Sequence, residues 1–337
     1  MDVPFALVIG ESLIDVMLSI DGVDERPGGS PMNVAVGLGR LGRQTQLATW
    51  FGRDMRGEAL VEHLEASHVQ VLPGSDDAPR TSTATVTPRQ FGAVAYTFDL
   101  SWQMPALPGQ LLTVPPAVVH VGSIGATLQP GAGQVLDAVR RLRDRSIISY
   151  DPNIRPAVIG DKSVVRPLVE QFVAMADVVK VSWDDLQWLF PDGDMEPAIE
   201  WLALGPAIVV VTAGPGGSIG FARNARSVMS PPPNGAMTDD VVLHPQQLDA
   251  ATVRLPLVDT VGAGDAFMAA MLDGLATMGL LAADRRDDLA RIQTDDLTRL
   301  LGYATAATGI CLSRPGADPP WRSELAPLDL KCPKPSN

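Results

Sequence analysis

The sequence predicts an α/β fold: a central, mostly parallel sheet with helices on both faces, plus a small β lid. Three observations carry this. Short runs rich in β-branched residues recur between segments of helical periodicity, the alternation that builds parallel sheets. Those runs are continuously apolar rather than alternating, so their strands are buried on both faces. Two other segments do alternate with period two, as half-exposed strands do.

In chain order, Phe5 to Ile9 followed by Gly10 reads as a buried first strand. Ser30-Pro31 supplies an N-cap and a proline at the first helical position. Val34, Leu38 and Leu41 follow at helical spacing, which predicts a helix over 31–41. Further strands are predicted at Ala117–Val121, Ile147–Tyr150, Asp177–Val181 and Ala207–Val211, with helices around 131–143, 162–173, 182–190 and 194–203. The period-two segments, 12–27 and 81–101, read as antiparallel strands forming a lid over the carboxyl edge of the sheet. Residues 230–250, with Pro231-Pro232-Pro233 and Asn234-Gly235, read as a surface excursion. One domain is expected over 1–325, with a frayed tail at 326–337 and no internal repeat.

The 337 residues are 46% hydrophobic and 19% charged, an ordinary globular balance. A net charge of −13 leaves no basic stripe to displace counterions, which argues against nucleic acid as a partner. Cys311 and Cys332 have no metal-type spacing and read as reduced thiols. Met1 to Gly10 lacks a charged n-region, and no apolar run approaches the roughly 20 residues that span a bilayer. A cytoplasmic protein without a membrane partner is expected.

Two phosphate-binding signals fail on context. Gly37-Leu38-Gly39-Arg40-Leu41-Gly42 matches GxGxxG but falls within and at the end of a predicted helix, not between a strand and a helix start. A Walker-A sequence is absent. The strongest signal is Asp259-Thr260-Val261-Gly262-Ala263-Gly264-Asp265-Ala266-Phe267. Its small residues open a helix, continued by Ala270, Met271, Gly274 and Leu275, so bare amides and the helix dipole make an anion site. Asp265 in that first turn would repel a phosphate, unless it accepts the proton of the group attacking it. The plain alternative is an acid that complements the dipole.

Asp259 to Leu272 resembles the second signature of the ribokinase-like (PfkB) carbohydrate kinase family, and Gly28-Gly29-Ser30-Pro31-Met32-Asn33-Val34-Ala35 resembles the first. The resemblance runs from Phe5 to about Ala317 and lies closest, in motifs, to fructokinases. It implies transfer of the ATP γ-phosphoryl group to a sugar hydroxyl. Asp265 becomes the catalytic base, with the amides of Gly262, Ala263 and Gly264 as anion hole. Asp15, Gly28, Gly29 and Asn33 become sugar contacts, joined by Phe98 from the lid and by Arg155 of Asp151-Pro152-Asn153-Ile154-Arg155. For ATP the similarity points to Lys180 and to Thr212, Gly214 and Gly217 of the loop Val211–Gly217, with the small-residue helix Gly302–Gly309 beside the adenine.

The same resemblance implies Mg²⁺, with Asp185 acting through a water, and K⁺ on carbonyls near Asp259 and Val261 and on the loop Ser313–Ala317. Here Ser182-Trp183-Asp184-Asp185 departs from the family's NxxE element. The lid stretch Tyr96-Thr97-Phe98-Asp99-Leu100 lacks the arginine of relatives that bind keto-deoxy acids, which favours a neutral hexose. Ribose, a nucleoside, 2-keto-3-deoxygluconate and a phosphosugar stay open as substrates. So does a non-catalytic sugar-binding regulator, and so does a homodimer formed through exposed lid strands.

Overall fold

The computed structural model describes residues 4–19, 22–88, 94–223, 225–230 and 256–325. The expected tail, and all but Ser230 of the 230–250 excursion, lie outside them. The strands are β1 (Phe5–Ile9), β2 (Leu13–Ser19), β3 (Gly22–Gly28), β4 (Gln44–Ala48), β5 (Val69–Val71), β6 (Thr83–Pro88) and β7 (Val94–Asp99). They continue with β8 (Val118–Gly122), β9 (Ile147–Asp151), β10 (Val178–Ser182), β11 (Ile208–Thr212), β12 (Ser218–Ala222) and β13 (Ala225–Ser230). The helices are α1 (Ser30–Arg40), α2 (Met55–Ala66), α3 (Gly131–Leu142), α4 (Pro156–Ile159) and α5 (Lys162–Met175). After them come α6 (Trp183–Leu189), α7 (Glu196–Leu204), α8 (Ala263–Thr277), α9 (Arg286–Leu289) and α10 (Thr294–Leu312).

Among the described residues, nine strands form the main sheet in the order β13-β12-β11-β10-β9-β8-β1-β4-β5. Pairing is parallel from β5 to β11, and β12 and β13 run antiparallel at one edge. Strict alternation assigns each strand residue to one of two cores. Val8, Val118, Ile147, Val178 and Ile208 pack with α1, α2, α8 and α10. Their neighbours Leu7, Val119, Ile148, Val179 and Val209 pack with α3, α5, α6 and α7. The β-branched runs predicted this double burial.

The second sheet is the expected lid, ordered β3-β2-β6-β7. One expectation fails: β2 pairs with β6 in parallel, so the lid is two antiparallel hairpins joined side by side. A period-two pattern records which face is wet and says nothing about strand direction. The lid is rooted where Ser82 and Ser101 close on each other, Ser101 N–H donating to Ser82 Oγ at 3.0 Å. Beside that root, Trp102 is buried and donates its indole N–H to the Gly125 carbonyl at 2.9 Å.

Two glycines of the rejected GxGxxG are packing residues of α1, and the third, Gly42, turns the chain after it at φ 77°. Gly37 faces Ala269 of α8, and Gly39 faces the backbone of Ser67. Helix α8 is buried on every side from Asp265 to Leu275. Its one interior acid besides Asp265 is Asp273, which accepts from Arg43 Nε at 2.6 Å and from the Tyr303 hydroxyl at 2.6 Å, with Arg322 on the same carboxylate. That satisfied charge fixes the rotation of α8, and with it the direction of Asp265.

Candidate active site

The site lies where the carboxyl ends of β1, β8, β9, β10 and β11 meet the N-terminus of α8, the edge at which open α/β sheets bind ligands. Gly262 caps α8 in the left-handed region, φ 75°, with Ala317 so close that a Cβ would fall 2.5 Å from its methyl. Only glycine meets both conditions. The first-turn amides have no intrahelical acceptor by construction, and that of Ala263 reaches the Thr260 carbonyl only at 3.4 Å. Gly262, Ala263 and Gly264 therefore stand as the sequence reading placed them, at a helix N-terminus with Asp265 in its first turn.

Both oxygens of Asp265 are held from α1. Ser30 Oγ donates to Oδ1 at 2.7 Å, and Asn33 Nδ2 donates to Oδ2 at 2.8 Å. The two sequence motifs are thus in direct contact. One detail of the sequence reading is corrected: Gly29, at φ 108°, occupies the N-cap of α1, and the helix begins at Ser30 without a side-chain cap. The Ser30 hydroxyl is spent on Asp265. The amide of Asn33, expected to face sugar hydroxyls, is turned to the same carboxylate.

Asp15 projects from β2 against Gly28, where an added Cβ would lie 2.1 Å from Oδ2. Burial pushes its carboxyl up to about 6, with Arg155 opposing and Asp265 adding to the shift. The charges of Arg155 and Asp265 are thus both felt at Asp15. Arg155 is exposed and folds over Asn153, donating to its Oδ1 at 2.6 Å, and Asn153 has φ 38°. Phe98, half-buried on β7, lies opposite Ala84 of β6. The lid's Asp99 pairs with exposed Arg80 at 2.9 Å.

Beneath the first turn of α8 lies a buried ion pair, Lys180 Nζ to Asp151 Oδ2 at 2.7 Å. Sheet register makes it: Val179 pairs with Tyr150, which sets Lys180 beside Asp151 on the α8 face. A Cβ at Gly264 would fall 2.7 Å from Lys180 Nζ, so the ammonium sits directly under the first turn of α8. Burial works to lower the Lys180 pKa, but Asp151, Asp265 and Asp185 outweigh it and raise it, so the side chain stays charged. Asp151 is raised to about 6, chiefly by burial, and its Oδ1 is buried with no hydrogen-bond partner among the described residues. Under the pair, His120 contacts Ser149 Oγ through Nδ1 at 2.9 Å. Burial and Lys180 push its pKa down to about 3, which keeps it neutral.

Asp185 closes a capping box with Ser182 at the start of α6, and its Oδ1 accepts the Ile154 amide at 2.8 Å. Burial raises its pKa. Asp259 accepts the amides of Val261 at 3.1 Å and Gly316 at 2.8 Å, joining the loop before α8 to the 313–317 loop. Thr212 ends β11, and the Gly214–Gly216 turn that follows is closed by Ala213 N–H donating to the Gly217 carbonyl at 2.8 Å. Thr305 of α10 shares a hydrogen bond with Ser230 of β13, bringing the small-residue helix alongside that loop.

Residues 5–324 match the pfkB family carbohydrate kinase. The chain belongs to that family. A fructokinase of Rhizobium leguminosarum bv. trifolii is 33% identical over 291 residues, 82% of this chain and 81% of that protein. Among solved structures, a fructokinase with bound ATP from Xylella fastidiosa superposes with a TM-score of 0.78 at 23% identity, covering 96% of this chain and 97% of that one. A fructokinase from Vibrio cholerae, in a fructose, ADP and calcium ion bound form, gives 0.71 at 23% identity, with the same coverage of each chain. This carbohydrate kinase therefore has the ribokinase-like fold that the sequence resemblance implied, and it is a phosphotransferase acting on a sugar with a nucleotide donor. No helix among the described residues is long and apolar enough to cross a membrane.

Three buried polar residues at this edge of the sheet escaped the sequence reading. Ser30 was read as a cap. Asp151 was passed over within its turn, although a charge ending one apolar strand and Lys180 interrupting the next was a signal. Glu11 is buried after β1, accepts the Gly125 amide at 2.7 Å, and is pushed up to about 7 by burial. It braces the turn after β8, where Ser123 has φ 54°.

Proposed function

We propose that this kinase phosphorylates a neutral hexose, D-fructose, at a primary hydroxyl with ATP as donor, and that Asp265 is its catalytic base. The supporting observation is the placement of the Asp265 carboxylate: in the first turn of α8, with both oxygens held from α1. In the reaction the sugar oxygen bonds to Pγ, the bond from Pγ to the β–γ bridging oxygen breaks, and ADP leaves. The hydroxyl proton passes to Asp265. The nucleophile is barely bonded in a loose transition state, so a weak base suffices.

Asp15 accepts from sugar hydroxyls, and Gly28 and Gly29 bring backbone to them. Phe98 covers the ring, and Arg155 swings from Asn153 to the ligand. Lys180, through Gly264, holds positive charge behind the transferring phosphoryl group. Thr212, Gly214 and Gly217 line the nucleotide groove.

Mg²⁺ carried on the nucleotide phosphates would supply charge neutralisation. The residues fit it: Asp151 has an unpartnered buried oxygen beside Asp185, and Asp185 would contribute through a water. K⁺ would sit on carbonyls at Asp259 and Val261, and the Asp259 tie to Gly316 supports that reading. A homodimer through the lid is supported by the position of β3 and β7 at the two ends of the lid sheet and by Val23, which is 63% exposed.

The test is ADP release from Mg-ATP with fructose, ribose, adenosine, 2-keto-3-deoxygluconate and fructose phosphates. Fructose should give the highest kcat/KM. A riboside or an acid ahead of it would overturn the assignment of Arg155 and the lid. Sugar binding without ADP release would favour a regulator.

A further inference from the structure

Gly29 holds the N-cap of α1, so Ser30 stands at the first helical position, where the capping role falls to its neighbour. The Ser30 hydroxyl crosses to α8 and donates to Asp265 Oδ1 at 2.7 Å. The partner that fills Oδ2, Asn33, is different in kind. An amide on a longer side chain can rotate away and offer its own oxygen to a ligand, so Asn33 is the partner that a sugar hydroxyl can replace. Ser30 has one rotatable bond, stands next to Pro31 with its fixed φ, and is buried. Its bond is the permanent one.

A carboxylate offers about four lone-pair positions, and each one left open beside an anion hole attracts a water molecule. Water bound to the base is itself a nucleophile. It would form the bond to Pγ, the bond to the β–γ bridging oxygen would break, ADP would leave, and the water's proton would pass to Asp265. ATP and water are the only reactants needed.

We propose that Ser30 is a positioning residue that keeps water off Asp265 Oδ1, so that the phosphoryl group passes to sugar and not to solvent. This rests on Asp265 being the base. Removing the hydroxyl leaves the buried Asp265 Oδ1 without its donor, an acceptor that a water from the ligand side can satisfy. Water then enters, and the aspartate, held on one side only, loses aim.

The experiment measures ADP release with and without sugar in the wild-type protein, Ser30→Ala, Ser30→Thr and Ser30→Ala/Asp265→Asn. Ser30→Ala should raise sugar-independent ADP release about tenfold and lower sugar-dependent kcat about tenfold, the scale of one buried hydrogen bond. The sugar KM should stay within about threefold, because Ser30 touches the base and not the sugar. Ser30→Thr, which keeps the hydroxyl, should restore the wild-type partition, and Asp265→Asn should remove the added hydrolysis. If Ser30→Ala does not fold, Ser30→Cys, with its weak donor, should show the same shift. An unchanged partition in the Ala or Cys variant, or added hydrolysis that survives Asp265→Asn, overturns the proposal. Wild-type protein that releases no ADP with any sugar removes the kinase assignment and this proposal together. A working wild type with an unchanged variant removes only this one.

Discussion

The buried Lys180–Asp151 pair yields a measurable prediction. Lys180 and Asp151 are 3% and 1% exposed, and Asp151 Oδ1 already lacks a partner. Lys180→Met removes the cation and keeps most of the volume, leaving a carboxylate with neither charge nor donor on Oδ2. Breaking one side of a buried pair costs about 3–5 kcal/mol. At about 2.1 cal/mol/K per residue, 337 residues carry about 0.7 kcal/mol/K of unfolding entropy, so Tm should fall about 4–7 °C at pH 7.5. The sign with pH follows from Asp151. Its pKa is raised from 3.8 to about 6, mainly by burial, and loss of Lys180 raises it further. Below that value the group is neutral and the penalty shrinks, so the variant should recover most of its loss, relative to wild type, at pH 5. Asp151→Asn/Lys180→Met, with no charge left unpaired, should be more stable at pH 7.5 than Lys180→Met. Calorimetry of the three proteins at both pH values is the assay. An equal loss at pH 5 and 7.5, or a double variant no better than the single, would refute the charge argument.

Asp265→Asn should lower kcat by about 10²–10⁴ and leave the sugar KM nearly unchanged, checked by steady-state kinetics. Asp15 is raised from 3.8 to about 6, so its acceptor charge is present above pH 6 and lost below it. Sugar KM should therefore climb as pH falls from 6 to 5, by up to about tenfold, and Asp15→Asn should flatten that profile while raising KM at pH 7.5. Gly262→Ala meets both a φ of 75° and the Ala317 backbone at 2.8 Å. It should cost more than the roughly 1–2 kcal/mol of the left-handed conformation alone and lower kcat with it, read by melting and turnover.

The start of α8 was legible because clustered small residues ahead of a helical apolar pattern leave few other readings. The strands of the main sheet were legible for a like reason, since Val178-Val179 and Ile208 to Val211 have no polar face to expose. Polar or short strands escaped: β4 reads Gln44-Thr45-Gln46-Leu47-Ala48, and β5 has three residues. What hid altogether was relation. Ser30 and Asp265 are 235 positions apart, and only folding shows that one holds the other. Asp151 and Lys180 are neighbours only through the register of β9 and β10.

That separation has a consequence for biosynthesis. Helix α1 is buried from Ser30 to Gly39, partly against α8. A ribosome adding about 5–20 residues per second needs roughly 12–47 s to make the 235 residues between Ser30 and Asp265. Through that interval the apolar surface of α1 has no permanent cover from α8. The nascent chain must be sheltered or must stay loosely folded, and the catalytic centre is among the last parts to be assembled.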